Sequence, residues 1–375
     1  MLRGSTIATA FLCLTAPVAA LAQESLQTRS FPDMTNVGEK TVGLRRGSFI
    51  LAPIPLRDPM IGTGLALGAG YLFNIDAKSD PSGIGIGGFK TDNGSQAYAA
   101  GGSLSFGEGH WKIRGGMGYA DLNYDLYAGD TPIPISQTGA MARLGVTYTW
   151  SHAWSIGFDL GVIQSDLGSG GATLPPDLQP DFDITSATAD LTLGYDTRDD
   201  TLYPTSGVKA SFRFGLGGVA DGIDLNVIAD LDRQFTRMLG QYALYLPVGS
   251  DGVVAGLITA CGVDDQTPFF LACSLGGSDQ MRGFPATQYI DNTLVSLQMA
   301  YRGRIGQSRF GYVVFAGAGR VADGFSDIGS ADTHAAAGVG ARFRVSRKFP
   351  VDFSVDLAVN DDHDTTTYIY VGQRF

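Results

Sequence analysis

The amino-acid sequence predicts an all-β fold, a transmembrane antiparallel β-barrel of 16 strands, and three observations carry that prediction. The last segment, Thr365 to Phe375, alternates apolar and polar-aromatic residues and ends the chain on an aromatic. In a barrel one strand face meets lipid, the other meets the lumen, and an end aromatic sits in the interfacial girdle. The chain holds no run of 18 apolar residues that would make a spanning helix. Short alternating segments separated by turn residues recur throughout, in a composition with 52 glycines.

Met1 to Ala22 reads as a secretory signal: Arg3, an apolar stretch from Ile7 to Ala20, and a small-x-small end before Gln23. Cys13 lies inside it and is lost with it. Removing one Arg and no acid takes the net charge from −11 to about −12. Residues 23–46 are polar and read as a short periplasmic lead, too short for a domain of its own. Residues 47–375 then form the barrel, placed in the outer membrane of a Gram-negative bacterium.

Candidate strands follow at 63–73, 83–91, 96–106, 111–127, 138–150, 154–165, 184–197, 207–217, 224–237, 241–248, 253–263, 292–305, 310–322, 333–346, 351–361 and 365–375. Phe49 to Leu56 is a further possible strand, and 241–263 an alternative single bent one. In 351–361 the alternation is cleanest. Val351, Phe353, Val355, Leu357 and Val359 face lipid, while Asp352, Ser354, Asp356, Ala358 and Asn360 face a polar, wet lumen. A slip of one residue would put two carboxylates in hydrocarbon. The connections are uneven: 168–184 is long and Pro-rich, and 263–291 is the longest.

That longest loop contains Gly276-Gly277-Ser278-Asp279-Gln280-Met281-Arg282-Gly283-Phe284. Tyr195 to Gly207 (YDTRDDTLYPTSG) precedes it and Phe315 to Val321 (FAGAGRV) follows it, with five strands after the loop. Together these resemble the BamA/TamA superfamily of outer-membrane insertases and two-partner secretion translocases, also called bacterial surface antigen proteins. The resemblance implies an extracellular loop folded back into the lumen and held there by its arginine. Arg282 offers five donors and a permanent charge, Gly283 permits a tight turn, and Phe284 adds an apolar contact. In the family two acids on the following strands hold this arginine. The matching positions here are Gln298 and Gly317, on a wall that also carries Phe315 and Gly319, so Arg282 is expected to find Asp352 or Asp356, stay hydrated or bind an anion. The resemblance further implies a weakly closed seam between the first and last strands. Family members that insert or secrete proteins carry periplasmic POTRA domains before the barrel, and this chain is expected to be a barrel-only form.

Alternation puts Arg302, Arg304, Arg342, Arg344 and Arg374 on the lumen side as a basic arc. Two readings stay open, attraction of anionic groups and ion pairing with neighbouring acids. Cys261 and Cys273 meet an oxidising compartment after export, so a disulfide at the loop base is expected. Tyr368, Tyr370, Gly372 and Phe375 form a candidate assembly signal. The four histidines show no metal spacing and no nucleophile elbow occurs, so neither a metal, a cofactor nor an enzymatic role is expected. The expected partners are outer-membrane lipid, the assembly machinery during biogenesis and a separate periplasmic chain, with no nucleic acid. The leading function is assistance in inserting or moving macromolecules at the outer membrane; a passive diffusion channel is the alternative.

Overall fold

The computed structural model describes residues 47–374 except 130, 170–181, 202, 222–232, 278–280 and 346–351. The signal, the polar lead and Phe375 lie outside the described residues.

Sixteen strands close into one antiparallel barrel. They are β1 (Ser48–Asp58), β2 (Gly62–Phe73), β3 (Ser82–Thr91), β4 (Gln96–Phe106), β5 (Trp111–Ala128), β6 (Thr131–Thr149), β7 (Trp154–Ser169), β8 (Phe182–Asp196), β9 (Gly207–Asp221), β10 (Arg233–Val248), β11 (Gly252–Val263), β14 (Thr293–Arg304), β15 (Phe310–Ala322), β16 (His334–Arg344), β17 (Asp352–Asn360) and β18 (Thr365–Val371). Between β11 and β14 a loop carries a 3-10 turn, Phe269–Leu271, and a small ribbon of β12 (Cys273–Ser274) and β13 (Ile290–Asp291). Among the described residues no helix is long and apolar enough to cross a membrane.

The number of strands agrees with the sequence reading, but two of its assignments are corrected. Of the expected strand 224–237, residues 224–232 lie outside the described residues; the rest of it and 241–248 are one strand, β10, unbroken from Arg233 to Val248, with Gly240 paired to Ala260 in its middle. Strand β1, the further possible strand over Phe49 to Leu56, takes the remaining place. Its sequence, SFILAPIPLRD, is apolar on both faces: Ala52, Ile54 and Leu56 are buried inside, while Phe49 and Leu51 are exposed outside. Alternation of polarity cannot mark such a strand. The bent strand over 241–263 is likewise replaced by a hairpin whose turn holds Gly249 at φ +65°.

Period-two facing runs round the wall. In β17, Asp352, Ser354, Asp356, Ala358 and Asn360 are buried, while Leu357 and Val359 are exposed. Outward apolar side chains such as Leu65, Ile86, Leu144, Phe158, Leu191, Phe214, Ile258 and Met299 form a band that only a lipid-like solvent would cover favourably. At the rim where β1 starts and β18 ends, aromatics pair along neighbouring strands: Phe49 with Tyr71, Trp111 with Tyr148, Trp154 with Tyr195 and Phe310 with Phe343. This is the girdle expected at a membrane interface.

The interior is not polar throughout. Ala52, Ile54, Leu56, Ile61, Phe89, Leu122 and Ile135 pack together inside the β1–β6 wall. Closure is uneven too. β1 pairs with β2 from Ser48↔Leu72 to Asp58↔Gly62, but meets β18 only at Arg57↔Ile369. Pro53 and Pro55 lie in that strand, and proline has no N–H to give to a ladder.

Candidate functional site

The loop after β11 turns into the lumen and docks against β15 to β18. Cys261 of β11 and Cys273 of β12 are joined, with Cα atoms 5.8 Å apart, which ties the loop base to the wall. Beyond residue 280 the loop buries Met281, Arg282, Gly283 and Phe284 in succession. Met281 and Phe284 join Leu239, Leu275, Leu294 and Ala336 in an apolar cluster. Phe284 also meets Tyr289 edge to face, and Tyr289 stacks on His334 with ring centres 3.7 Å apart.

Glycines set the path of the chain. Gly276 leaves no space for a side chain, since a Cβ would fall 1.9 Å from the Pro285 carbonyl oxygen. Gly277 has φ +94° and donates its N–H to the Phe284 carbonyl at 3.0 Å. At Gly283, φ is +120° and a Cβ would stand 2.5 Å from that of Ala336. The bare backbone there is gripped on both sides. Its N–H donates to the Tyr368 hydroxyl at 2.9 Å, and its carbonyl accepts from Asn360 Nδ2 at 3.3 Å and Thr366 Oγ1 at 3.2 Å.

Arg282 is the charged member. Its Nη1 donates to Asp356 Oδ2 at 2.8 Å, with the two side chains 1% and 0% exposed, so the pair is sealed rather than bathed in lumen water. The expectation of a wet site is corrected here, because the loop itself excludes the solvent. The guanidinium also lies 3.6 Å from the Phe315 ring centre, a cation-π contact that offsets part of its desolvation. Asp356 is shared: Arg342 Nη1 donates to Oδ1, the Tyr370 hydroxyl donates to Oδ2 at 2.7 Å, and Arg342 Nη2 donates to that hydroxyl at 3.0 Å. Burying one carboxylate against two guanidiniums is tolerable only with such geometry.

The other wall positions fall nearby. Gln298 is buried and pairs in register with Gly317. A Cβ at Gly317 would lie 3.0 Å from Gln298 Cγ and 3.4 Å from Met281 Sδ, so the loop methionine fills the space an acid would take. Gly319 serves similarly under Leu275, whose Cδ1 would be 2.3 Å from an added Cβ. Asp352 does not serve Arg282: it accepts from Arg304 Nη2 and, at 2.7 Å, from Arg344 Nε.

The basic arc is therefore largely compensated by contacts within the barrel. Arg304 and Arg344 share Asp352, and Arg342 pairs with Asp356. Arg302 donates to the Pro204 carbonyl, and Arg374 lies 4.0 Å from the Tyr370 ring centre and 4.6 Å from that of Tyr368. Sequence reasoning did not find what organises the arc. The turn between β8 and β9 reaches under the lumen and places Tyr203 amid Arg302, Arg304 and Arg344, at 4.8, 5.0 and 4.9 Å from the three guanidiniums. Within the turn, Asp199 accepts N–H bonds from Thr205 and Ser206, and Arg198 folds onto Asp196. Tyr368 and Tyr370, singled out as an assembly signal, point into the lumen and hold the loop; Gly372 donates its N–H to the Asp352 carbonyl.

The fold has solved counterparts. BamA from Haemophilus ducreyi, in a form lacking POTRA domains 1-3, is similar over 94% of this chain and 78% of its own, at 15% identity and a TM-score of 0.59. CdiB from Acinetobacter baumannii matches at 12% identity and TM-score 0.57, over 88% of this chain and 60% of its own. CdiB from Escherichia coli matches at 16% and 0.57, over 85% and 62%. The chain thus spans about three fifths of the two CdiB structures. No curated protein matches it in sequence. The Omp85 superfamily domain matches residues 60–375, and with that the chain belongs to the Omp85 superfamily of outer-membrane barrels.

Proposed function

We propose that this barrel assists the insertion or passage of macromolecules at the outer membrane by opening between β1 and β18. The observation that supports the reading is the seam: a single bridge, Arg57↔Ile369, beside a β1–β2 ladder that runs the whole strand. Continuing that register would set Pro55 against Val371 and Pro53 against Gln373, where proline can donate nothing. An edge left unpaired is a template for an incoming strand. The loop on Arg282 and the turn carrying Tyr203 both occupy the lumen, which favours a lateral route over a steady central pore. Substrate delivery by a separate periplasmic chain, and assembly of this barrel by the cell's own machinery, belong to the same proposal.

The test is a disulfide across the seam, Arg57→Cys with Ile369→Cys, in barrels reconstituted into liposomes. The barrel is expected to speed the folding of a urea-unfolded small outer-membrane protein, the oxidised variant to lose that effect, and reductant to restore it. Parent barrel treated with reductant controls for Cys261–Cys273. Equal acceleration by locked and unlocked forms would end the lateral reading. A large, steady conductance in planar bilayers, indifferent to the lock, would replace it with the diffusion channel.

A further inference from the structure

Among the described residues, three cationic side chains stand on the outer face of the strands: Arg57 in β1, Lys90 in β3 and Arg320 in β15. Arg320 is occupied. Its Nε donates to Thr333 Oγ1 at 2.7 Å, and its Nη1 donates to the Ile328 and Gly329 carbonyls at 2.9 Å. Arg57 and Lys90 are exposed, and neither side chain has a hydrogen bond, ion pair or ring contact among the described residues. Acids in neighbouring positions are turned to other work. Asp92 Oδ1 accepts the Thr63 N–H at 2.8 Å, Asp58 Oδ1 accepts the Met60 N–H at 2.9 Å, and Asp121 Oδ2 meets Gln96 Nε2 at 3.5 Å.

Both free cations lie at the rim where the Arg282 loop folds in, the outer rim, since β1, β3 and β11 all end there. Arg57 pairs with Thr63 and Lys90 with Leu65, so the two flank the outer end of β2 on a diagonal. Two strand spacings and two residues of rise set their Cα atoms roughly 12 Å apart. On the same face, toward the middle of the membrane, Leu51, Leu65, Leu67 and Ile86 are exposed and form an apolar floor.

The rest of the outer rim is unlike this corner. Followed away from the seam, the ladder row of Lys90 carries Gln96, Asp121, Thr138, Asp166 and Asp183 on the outer face. The rim is therefore cationic at β1 and β3 and acidic from β5 to β8, which a uniform interfacial belt would not be. Two unpaired cations above an apolar floor form the negative image of an acyl lipid with two anionic groups, and charge near a membrane surface adds to apolar burial. The outer leaflet of a Gram-negative outer membrane offers such a molecule, a phosphorylated acyl glycolipid whose disaccharide carries a phosphate at each end.

We propose that Arg57 and Lys90 bind the two phosphates of one such glycolipid, whose acyl chains lie on Leu51, Leu65, Leu67 and Ile86. A guanidinium and an ammonium are both good phosphate partners, the first through its fork and the second as a point charge. The site needs only the barrel and its membrane, so it stands whether or not the seam opens.

The experiment is native mass spectrometry of the full barrel titrated in detergent with bis-phosphorylated lipid A, its dephosphorylated form and phosphatidylglycerol. The parent is expected to hold the bis-phosphorylated form about twentyfold more tightly than the dephosphorylated one. Arg57→Gln and Lys90→Gln are each expected to lose about fivefold, and the double variant to lose the preference. Arg309→Gln removes an exposed cation from the β14–β15 turn at the opposite rim and is expected to bind as the parent does. Heat-modifiable mobility on gels reports folding of each variant. If a glutamine variant fails to assemble, Arg57→Met and Lys90→Met take its place, and the parent's own discrimination between the lipids needs no variant. Equal binding of the two lipid A forms, or phosphatidylglycerol bound as tightly as the bis-phosphorylated form, would overturn the site. So would a preference that survives in the folded double variant, or an equal loss in Arg309→Gln.

Discussion

At the scale of single residues, Arg282 and Gly283 divide the work of holding the loop. The arginine supplies charge to a buried carboxylate, and the glycine supplies bare backbone that three wall side chains can reach. Breaking a buried ion pair from one side typically costs about 3–5 kcal/mol. Arg282→Ala is expected to lose toward the lower end of that range in loop docking, since Asp356 keeps Arg342 and Tyr370, and to leave the barrel folded. Gly283→Ala, by contrast, needs a backbone angle that alanine resists and a shift of Ala336, so it is expected to release the loop with every charge intact. Protease access to the loop in intact cells measures both, with heat-modifiable mobility reporting the barrel; equal protection of parent and variants would show that neither residue holds it.

Elements act through their termini. The disulfide between Cys261 and Cys273 closes a loop of about a dozen residues, for which chain entropy gives on the order of 3 kcal/mol. Replacing both cysteines by serine is expected to lower unfolding temperature without changing strand content, and alkylation of two thiols in the unreduced parent would refute the bond. A different device fixes the turn between β2 and β3. Burial raises the Asp76 carboxyl, but hydrogen bonds from the Ser79 hydroxyl and the Ser79, Lys78 and Glu108 N–H groups outweigh it and hold the pKa at about 2. Because the folded value lies below the unfolded one, this contribution is full above about pH 4 and fades as pH falls through about 2. Amide exchange at Ser79 and Glu108 is expected to accelerate over that window in the parent and to show no such step in Asp76→Asn.

On the scale of the whole molecule, closure is decided at one place. β1 carries Pro53 and Pro55, and the last strand meets it only at Arg57↔Ile369. Replacing both prolines by threonine adds two N–H donors at positions in register with the end of β18. The expected result is a longer seam, a higher unfolding temperature and slower substrate folding in the liposome assay. An unchanged barrel would mean that the shortness of the seam has another origin.

Much of this molecule was legible from sequence for one reason: a membrane barrel writes its solvent into every second residue. Strands β17 and β18, the loop motif and the five strands after the loop could be read from period-two facing and the Gly-Gly…Met-Arg-Gly-Phe segment. Strand β1 could be offered only as a further possible strand over Phe49 to Leu56, since an apolar interior cluster receives its inner face and lipid its outer one, which erases the alternation. Nor could local sequence say that Asp356 rather than Asp352 receives Arg282, that Tyr203 gathers three arginines across the lumen, or that Arg143 and Arg237 converge on Asp190. Alternation states which face a side chain takes. Which charges meet across the barrel depends on closure, which brings together groups as far apart in the chain as Pro204 and Arg302, and only the tertiary structure decides it.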